Sequence, residues 1–290
     1  MPFVIAILVL IVCFILYIIF ENKNLETTDY LIEQKNVPPA FEGMRFVCLA
    51  DLHQNRFGKK NEKLIKQIRN CNPDAILIAG DMITHSSKKK HEIALELIRK
   101  LAMEYEIYYV PGNHELKWSR AAQSSNLSYK EYVEDLGKSG VAYLDNSQII
   151  IKKGQDMLQI VGLNLDLSYY NKGGKPKTLT KDELTAFIPS ADSNSYTILL
   201  AHVPDYFEEY VEWGADLIVS GHNHGGIMRL WKIGGVISPR YQFFPKYDAG
   251  VFKKHSSVMI LSRGLGTHTI PIRIFNRPEL ICLQIKKKNG

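Results

Sequence analysis

The chain has 290 residues, 46% of them hydrophobic and 23% charged, with a net charge of +6. Positions 1–20 hold 19 of the hydrophobic residues, which leaves near 42% across the other 270. That is ordinary globular composition; it excludes disorder and a collagen-like repeat, and the absence of a later apolar run of 18 residues excludes a multi-spanning membrane protein.

Residues 1–20 (MPFVIAILVLIVCFILYIIF) carry no charge. Twenty helical residues span about 30 Å, the thickness of a bilayer core. No Lys or Arg precedes the run and no A-x-A site follows it, so it reads as an uncleaved transmembrane anchor rather than a signal peptide. Residues 21–40 are polar and end in Val37-Pro38-Pro39; they read as a juxtamembrane linker or a first edge strand. One large domain is expected over 41–290. Within it, residues 44–50 form a buried strand. Residues 61–70 have helical spacing at Leu64, Ile65 and Ile68. A second strand (74–79), a helix (91–103) and a third strand (106–110) follow. This alternation predicts βαβ units and a largely parallel sheet. The second half is richer in strands. Residues 141–152 and 157–164 read as consecutive antiparallel strands, 182–187 as a short helix, 196–201 as a strand, 205–212 as a helix and 216–220 as a strand. Stretches 256–262 and 270–286 close the domain as further strands. The four cysteines show no C-x-x-C spacing, which argues against a thiolate zinc site; they are expected to be buried free thiols.

The chemistry-bearing residues sit just past the predicted strand ends. The first strand runs into Asp51-Leu52-His53, the second into Gly80-Asp81, and the third into Gly112-Asn113-His114-Glu115. The strand at 196–201 runs into His202, and that at 216–220 into Gly221-His222-Asn223-His224-Gly225-Gly226. Ligands of open α/β sheets bind outside the carboxyl ends of the strands. Singly, a Gly-Asp or an Asn-His is a turn or a cap. Together these positions supply carboxylate, amide and imidazole heads to one rim, a donor set that suits Mn²⁺, Fe²⁺ or Zn²⁺. Seven ligands exceed one tetrahedral ion and match two metals sharing a carboxylate. Gly80, Gly112 and Gly221 precede ligands where the chain must turn sharply and approach them closely.

The order D-x-H, G-D, G-N-H-E, H, G-H-x-H resembles the calcineurin-like metallophosphoesterase superfamily over about residues 41–290. The closing segment, Arg263 to Arg273 and then Asn276-Arg277-Pro278-Glu279, resembles its membrane-associated YkuE- and YaeI-type phosphodiesterase branch, related to UDP-2,3-diacylglucosamine pyrophosphatases. The resemblance implies a four-layer α/β/β/α sandwich and two divalent metal ions, with manganese favoured over iron or zinc. It implies that Asp51, His53, Asp81 and His224 bind the first metal, that Asp81 bridges, and that Asn113, His202 and His222 complete the second. His114 would then face the substrate phosphate and protonate the leaving oxygen, with Glu115 orienting it.

Two cations of this kind activate a water and neutralise charge on a phosphate under in-line attack. The expected reaction is therefore hydrolysis of a phosphodiester or pyrophosphate bond without a phosphoenzyme. A lipid-linked substrate is the economical choice for a membrane-anchored enzyme, and Tyr169, Tyr170, Trp231, Tyr241, Phe243 and Phe244 are expected either in the core or on an acyl- or membrane-facing surface. A nuclease or cyclic-nucleotide phosphodiesterase of the same superfamily is the alternative, but no basic tract with interleaved aromatics marks a dedicated nucleic-acid partner. A non-catalytic scaffold would be expected to have lost ligands, and none is lost. Lys23 and Lys35 lean towards a cytoplasmic body. An apolar N-terminal segment is the usual export signal, and the balance is read as extracytoplasmic. Arg56 and His268 are loop candidates for substrate contact, and His85, His91 and His255 are expected in solvent.

Overall fold

The computed structural model describes residues 2–53, 55–84, 91–122, 128–170, 177–230, 233–238, 240–267 and 271–288. Helix α1 (Pro2–Lys23) comes first, its apolar stretch exposed and long enough to cross a bilayer. Strand β1 (Glu26–Gln34) follows, so much of the polar stretch at 21–40 is an edge strand rather than a linker. Strand β2 (Arg45–Leu49), α2 (Glu62–Cys71), β3 (Ala75–Ala79), α3 (His91–Ala102) and β4 (Glu106–Val110) realise the predicted βαβ rhythm. Two helices absent from the sequence reading come next, α4 (Asn113–Ala122) and α5 (Ser128–Lys138). Then come β5 (Ala142–Tyr143), β6 (Ser147–Lys153), β7 (Asp156–Leu163), α6 (Lys181–Phe187), β8 (Tyr196–Ala201), α7 (Phe207–Trp213) and β9 (Leu217–Ser220). A short ribbon of β10 (Arg229–Leu230) and β11 (Gly234–Gly235) precedes β12 (Gly250–Lys254), β13 (Ser257–Leu261) and β14 (Glu279–Lys287).

Two six-stranded sheets result, in the orders β1-β14-β2-β3-β4-β5 and β12-β13-β9-β8-β7-β6. Strands β2 to β5 run parallel, as their helical crossovers require, and so do β7, β8, β9 and β13. Alternation along each strand divides the core into three layers. Val47, Leu49, Ile76 and Ile78 pack under α2, α3 and α5. Phe46, Cys48 and Leu77 meet Ile198, Leu200 and Val219 between the sheets. Leu199, Ala201 and Ile218 pack against Leu184, Tyr210 and Trp213 of α6 and α7. The architecture is thus the four-layer α/β/β/α sandwich. Capping sharpens the helix boundaries where it is present: Thr180 and Glu183 form a capping box at the start of α6.

Four expectations need correction. Residues 141–152 are not one strand. Ala142–Tyr143 pairs with β4 in the first sheet, whereas Ser147–Lys153 pairs with β7 in the second, so the chain crosses between sheets here. The closing strand begins only at Glu279, because residues 271–278 are committed to contacts described below. The cysteines are not all buried thiols. Cys71 at the end of α2 and Cys282 on the helix-facing side of β14 form a disulfide, and Cys13 is exposed on α1. His91 also departs from its solvated reading. It is half-buried, with its ring 5.2 Å from Trp118 and 6.4 Å from Tyr132; His255 is exposed as expected.

Strand β14 is antiparallel to β2, and β1 is parallel to β14. Strand β1 therefore starts at the end of the first sheet where β2, β3 and β4 finish. Only Asn24 and Leu25 separate it from α1, so the apolar helix leaves the domain at the carboxyl-end rim.

Candidate metal centre

The carboxyl ends of β2, β3, β4, β8 and β9 converge on this rim and bring the predicted residues together. Asp51, His53, Asp81, Asn113, His114, His202, His222 and His224 are all buried. Five of them, Asp51, His53, Asp81, His222 and His224, hold positive φ between 44° and 72°. Non-glycine residues enter that region at a cost of order 1–3 kcal/mol and collect where function demands it. Close approach explains the neighbouring glycines. A Cβ on Gly112 would stand 2.3 Å from Asp81 Oδ1, and one on Gly221 would stand 2.5 Å from Asp51 Oδ2.

The side chains form three overlapping groups of potential metal donors: Asp51, His53 and His224; Asp81, His202 and His222; and His53, Asp81 and His114. Asp81 Oδ2 lies 3.2 Å from His202 Nε2, 3.8 Å from His53 Nε2 and 4.0 Å from His114 Nε2. Asp51 Oδ1 lies 3.4 Å from His224 Nε2 and 3.7 Å from His53 Nε2. The second carboxylate oxygens are tied to the backbone. His222 N–H donates to Asp51 Oδ2 at 3.0 Å, and His114 N–H to Asp81 Oδ1 at 2.8 Å. His202 Nδ1 is 2.6 Å from the Ala79 carbonyl and His224 Nδ1 is 3.1 Å from that of Gly266. With Nδ1–H donating to a carbonyl, each Nε2 presents its lone pair to the centre, the arrangement that orients metal-binding histidines.

Without a cation, the carboxylates and imidazoles balance one another's charge. Burial pushes the Asp51 carboxyl up to about 7, aided by Asp81 and opposed by His202. Burial acts against Asp81 too, but His202, His114 and His53 hold it well below the usual carboxylate range. His202, which burial alone would lower, is raised to about 9 by Asp81. Asp51 Oδ1 and Asn113 Oδ1 are buried with no hydrogen-bond donor among the described residues. Unmet buried oxygens beside imidazole nitrogens and two carboxylates are a donor set that divalent cations satisfy.

Glu115 has a part that the sequence did not indicate. Its buried carboxylate accepts from the N–H groups of Asp81 (2.9 Å), Gly112 (3.0 Å) and Ile83 (3.2 Å) and from Tyr109 Oη (2.7 Å). It thus staples the turns after β3 and β4, and burial together with Asp81 raises its carboxyl to about 7. Tyr170 is a buried wall of the centre, its ring 5.3 Å from His222, and Tyr169 is core; Tyr241, Phe243 and Phe244 are exposed. Arg56 is exposed, and His85, Trp231 and His268 lie outside the described residues.

Two residues carry the centre from behind without having stood out in the sequence. Asn276 Nδ2 donates to the carbonyls of His224 and Gly226, bracing the loop that holds His222 and His224. Arg273, fully buried, donates to the carbonyls of Arg263, Gly264, Gly266 and Asn276. The only sequence signal for either was its place in the closing segment.

A four-layer sandwich with this rim defines a metallophosphoesterase. Residues 44–226 match the calcineurin-like phosphoesterase family, and the chain belongs to it. It is a hydrolase acting on phosphoric esters. The chain is 25% identical to the metallophosphoesterase YkuE of Bacillus subtilis over 93% of its own length and 88% of the relative's. It is 24% identical to YkoQ of the same organism, over 91% and 92%. A zebrafish (Danio rerio) transmembrane protein with a metallophosphoesterase domain is 24% identical over 90% of this chain and 57% of its own.

Proposed function

We propose that the protein is a membrane-anchored phosphodiesterase or pyrophosphatase that works with two divalent cations. The observation that carries this reading is the position of Asp81 between two donor groups, 3.8 Å from His53 Nε2 on one side and 3.2 Å from His202 Nε2 on the other. Asp51, His53, Asp81 and His224 would hold one ion, and Asp81, Asn113, His202 and His222 the other; manganese, iron and zinc all suit these donors. When bound, such a pair activates water and neutralises charge on the phosphate.

The protein's own groups do the rest. Asp51 and Asp81 supply the negative charge that concentrates cations at the rim. The Nδ1 contacts of His202 and His224 keep their rings from swinging away. His114 sits at the edge of the cluster, 4.0 Å from Asp81, where its ring can give a proton to a departing oxygen. Helix α1 would hold residues 41–290 at a bilayer, and the docking of its last turns on the domain, where Tyr17 Oη accepts from Phe275 N–H and Glu21 from Asn276 N–H, supports an anchor over a removable leader. The Cys71–Cys282 disulfide supports an extracytoplasmic position, since such bonds persist in oxidising compartments. A lipid-linked phosphate fits a site held beside a membrane.

The test is hydrolysis by the full chain in detergent, loaded with Mn²⁺. Bis(p-nitrophenyl) phosphate, p-nitrophenyl phosphate and nucleoside-diphosphate lipids are the substrates. The diester or the diphosphate lipid should turn over faster than the monoester. Metal-loaded protein that cleaves none of them, or prefers the monoester, overturns the reading.

A further inference from the structure

The last turns of α1 are built into the segment behind the metal centre. Phe275 N–H donates to Tyr17 Oη at 2.9 Å, and the two rings lie 5.9 Å apart. Asn22 Nδ2 donates to the Pro271 carbonyl, and the Arg277 guanidinium lies 5.6 Å from the Phe20 ring. Tyr17 precedes Lys23 by six residues, which at 1.5 Å per residue is about 9 Å down the helix axis. If the polar end of α1 marks the bilayer surface, Phe275 is carried below it, yet its side chain is 69% exposed to water in the isolated chain.

Phe275 is not alone. It shares an open hollow with Leu230, Ile233 and Pro245, and the charged groups of Arg229, Lys246 and Asp248 line the same hollow. Phe243 and Phe244 lead directly into that proline. Ile233 is 63% exposed and Phe243 72%. Single exposed apolar residues are common on soluble proteins, but several large ones gathered around one hollow and the segment leading into it, with basic groups among them, mark an interaction surface. Here the neighbouring element identifies the partner, because the face flanks a helix of bilayer length. Aromatic residues favour the membrane–water boundary.

We propose that the face formed by Leu230, Ile233, Phe243, Phe244 and Phe275 is seated in the outer part of the bilayer that α1 crosses. The rim of the metal centre then opens at the level of the lipid headgroups, and the substrate is a phosphate presented by the bilayer. This rests on the reading of α1 as an anchor and of the rim as a phosphohydrolase site. The topology supports it independently of activity, since β1 begins at the rim and takes α1 there. The face is also continuous with the centre: Glu21 Oε1 accepts from Asn276 N–H at 2.8 Å, and the Asn276 side chain braces the His222–His224 loop.

The test uses the full chain in phosphatidylcholine vesicles. Phe243→Trp and Phe275→Trp are compared with Met103→Trp, which lies at the opposite end of the strands, just before β4, and is 85% exposed. Phosphatidylcholine brominated near the headgroup end of its acyl chains is the quencher, and the emission of the parent protein is subtracted. The emission added at 243 and 275 should fall by at least about half, and that at 103 should not change. Quenching at 243 and 275 no greater than at 103 overturns the proposal. Hydrolysis of bis(p-nitrophenyl) phosphate is measured on the same samples, so that loss of the enzymatic reading and loss of the membrane face are told apart.

Discussion

Replacement of Glu115 by Gln tests the claim that a buried carboxylate, not the metal ligands alone, shapes the centre. One oxygen accepts from Asp81 N–H and Gly112 N–H, the other from Ile83 N–H and Tyr109 Oη. Glutamine keeps one acceptor oxygen and puts an NH₂ where the other stood. With the oxygen kept at Asp81 and Gly112, the NH₂ faces Ile83 N–H and Tyr109. The tyrosine can turn its proton towards Tyr132 Oη, 3.3 Å away, and accept instead. Ile83 N–H cannot adapt. One stranded buried donor costs about 1–3 kcal/mol, and two bonds reduced from charged to neutral acceptors cost about 1 kcal/mol each, about 3–5 kcal/mol together. At about 2–4 °C per kcal/mol for a domain of this size, Tm should fall by roughly 6–20 °C. Thermal unfolding of metal-loaded parent and variant measures this, and metal content after dialysis reports whether the Asp81 turn has loosened. A variant that melts within about 2 °C of the parent and keeps all its metal would refute the staple.

Asp81→Asn should reduce bound metal from two ions to at most one and slow diester hydrolysis by about 10²-fold or more; metal analysis finding two tight ions with near-parental turnover would remove Asp81 from the bridging position. His114→Ala should depress alkyl phosphodiester hydrolysis by about 10²–10⁴-fold, the range for a general acid, and p-nitrophenyl esters much less, with metal content unchanged. Equal losses on both would assign the ring to phosphate binding alone, and loss of metal would make it a ligand. Chelation should destabilise the fold, because Asp51 and Asp81 are buried carboxylates facing one another across histidines. A site occupied at 1,000 times its Kd contributes about 4 kcal/mol, so Tm should fall by about 8–16 °C per site at about 2–4 °C per kcal/mol; calorimetry before and after EDTA dialysis checks it.

The sequence exposed the centre because each part of it is local. A buried strand and a ligand-type side chain just past its end fit within about seven residues, three of the five units add a glycine, and each announces itself separately. Which sheet a strand joins is not local. Residues 141–152 alternate plausibly throughout, and only the contacts of Tyr109 with Tyr143 and of Ile149 with Ile160 split them between sheets. The Cys71–Cys282 bond spans 211 residues, and no spacing rule reaches that far. Helix α4 hides because its start is a string of site residues, Asn113-His114-Glu115, whose polarity conceals the helical period. The Glu115 staple is hidden for a related reason. Its nearest neighbour in sequence is His114, but two of its four donors are the N–H groups of Asp81 and Ile83, more than 30 residues earlier.

The join between α1 and the centre shows what such long-range contacts do for function. Glu21 is buried at the end of an apolar helix, where a carboxylate needs partners. It finds them in Asn276 N–H and in Arg277, 3.4 Å from its other oxygen. Asn276 in turn has its amide on the carbonyls of His224 and Gly226. Two contacts therefore separate the last turn of α1 from the backbone of a proposed metal ligand. A simple tether would need only length, and flexible residues would serve as well. A buried carboxylate on one side and a bracing amide on the other instead fix the angle at which the rim meets whatever surrounds α1. On this argument, α1 positions the centre as well as retaining it, and the exposed apolar residues beside Phe275 lie where that fixed angle would press them into a bilayer.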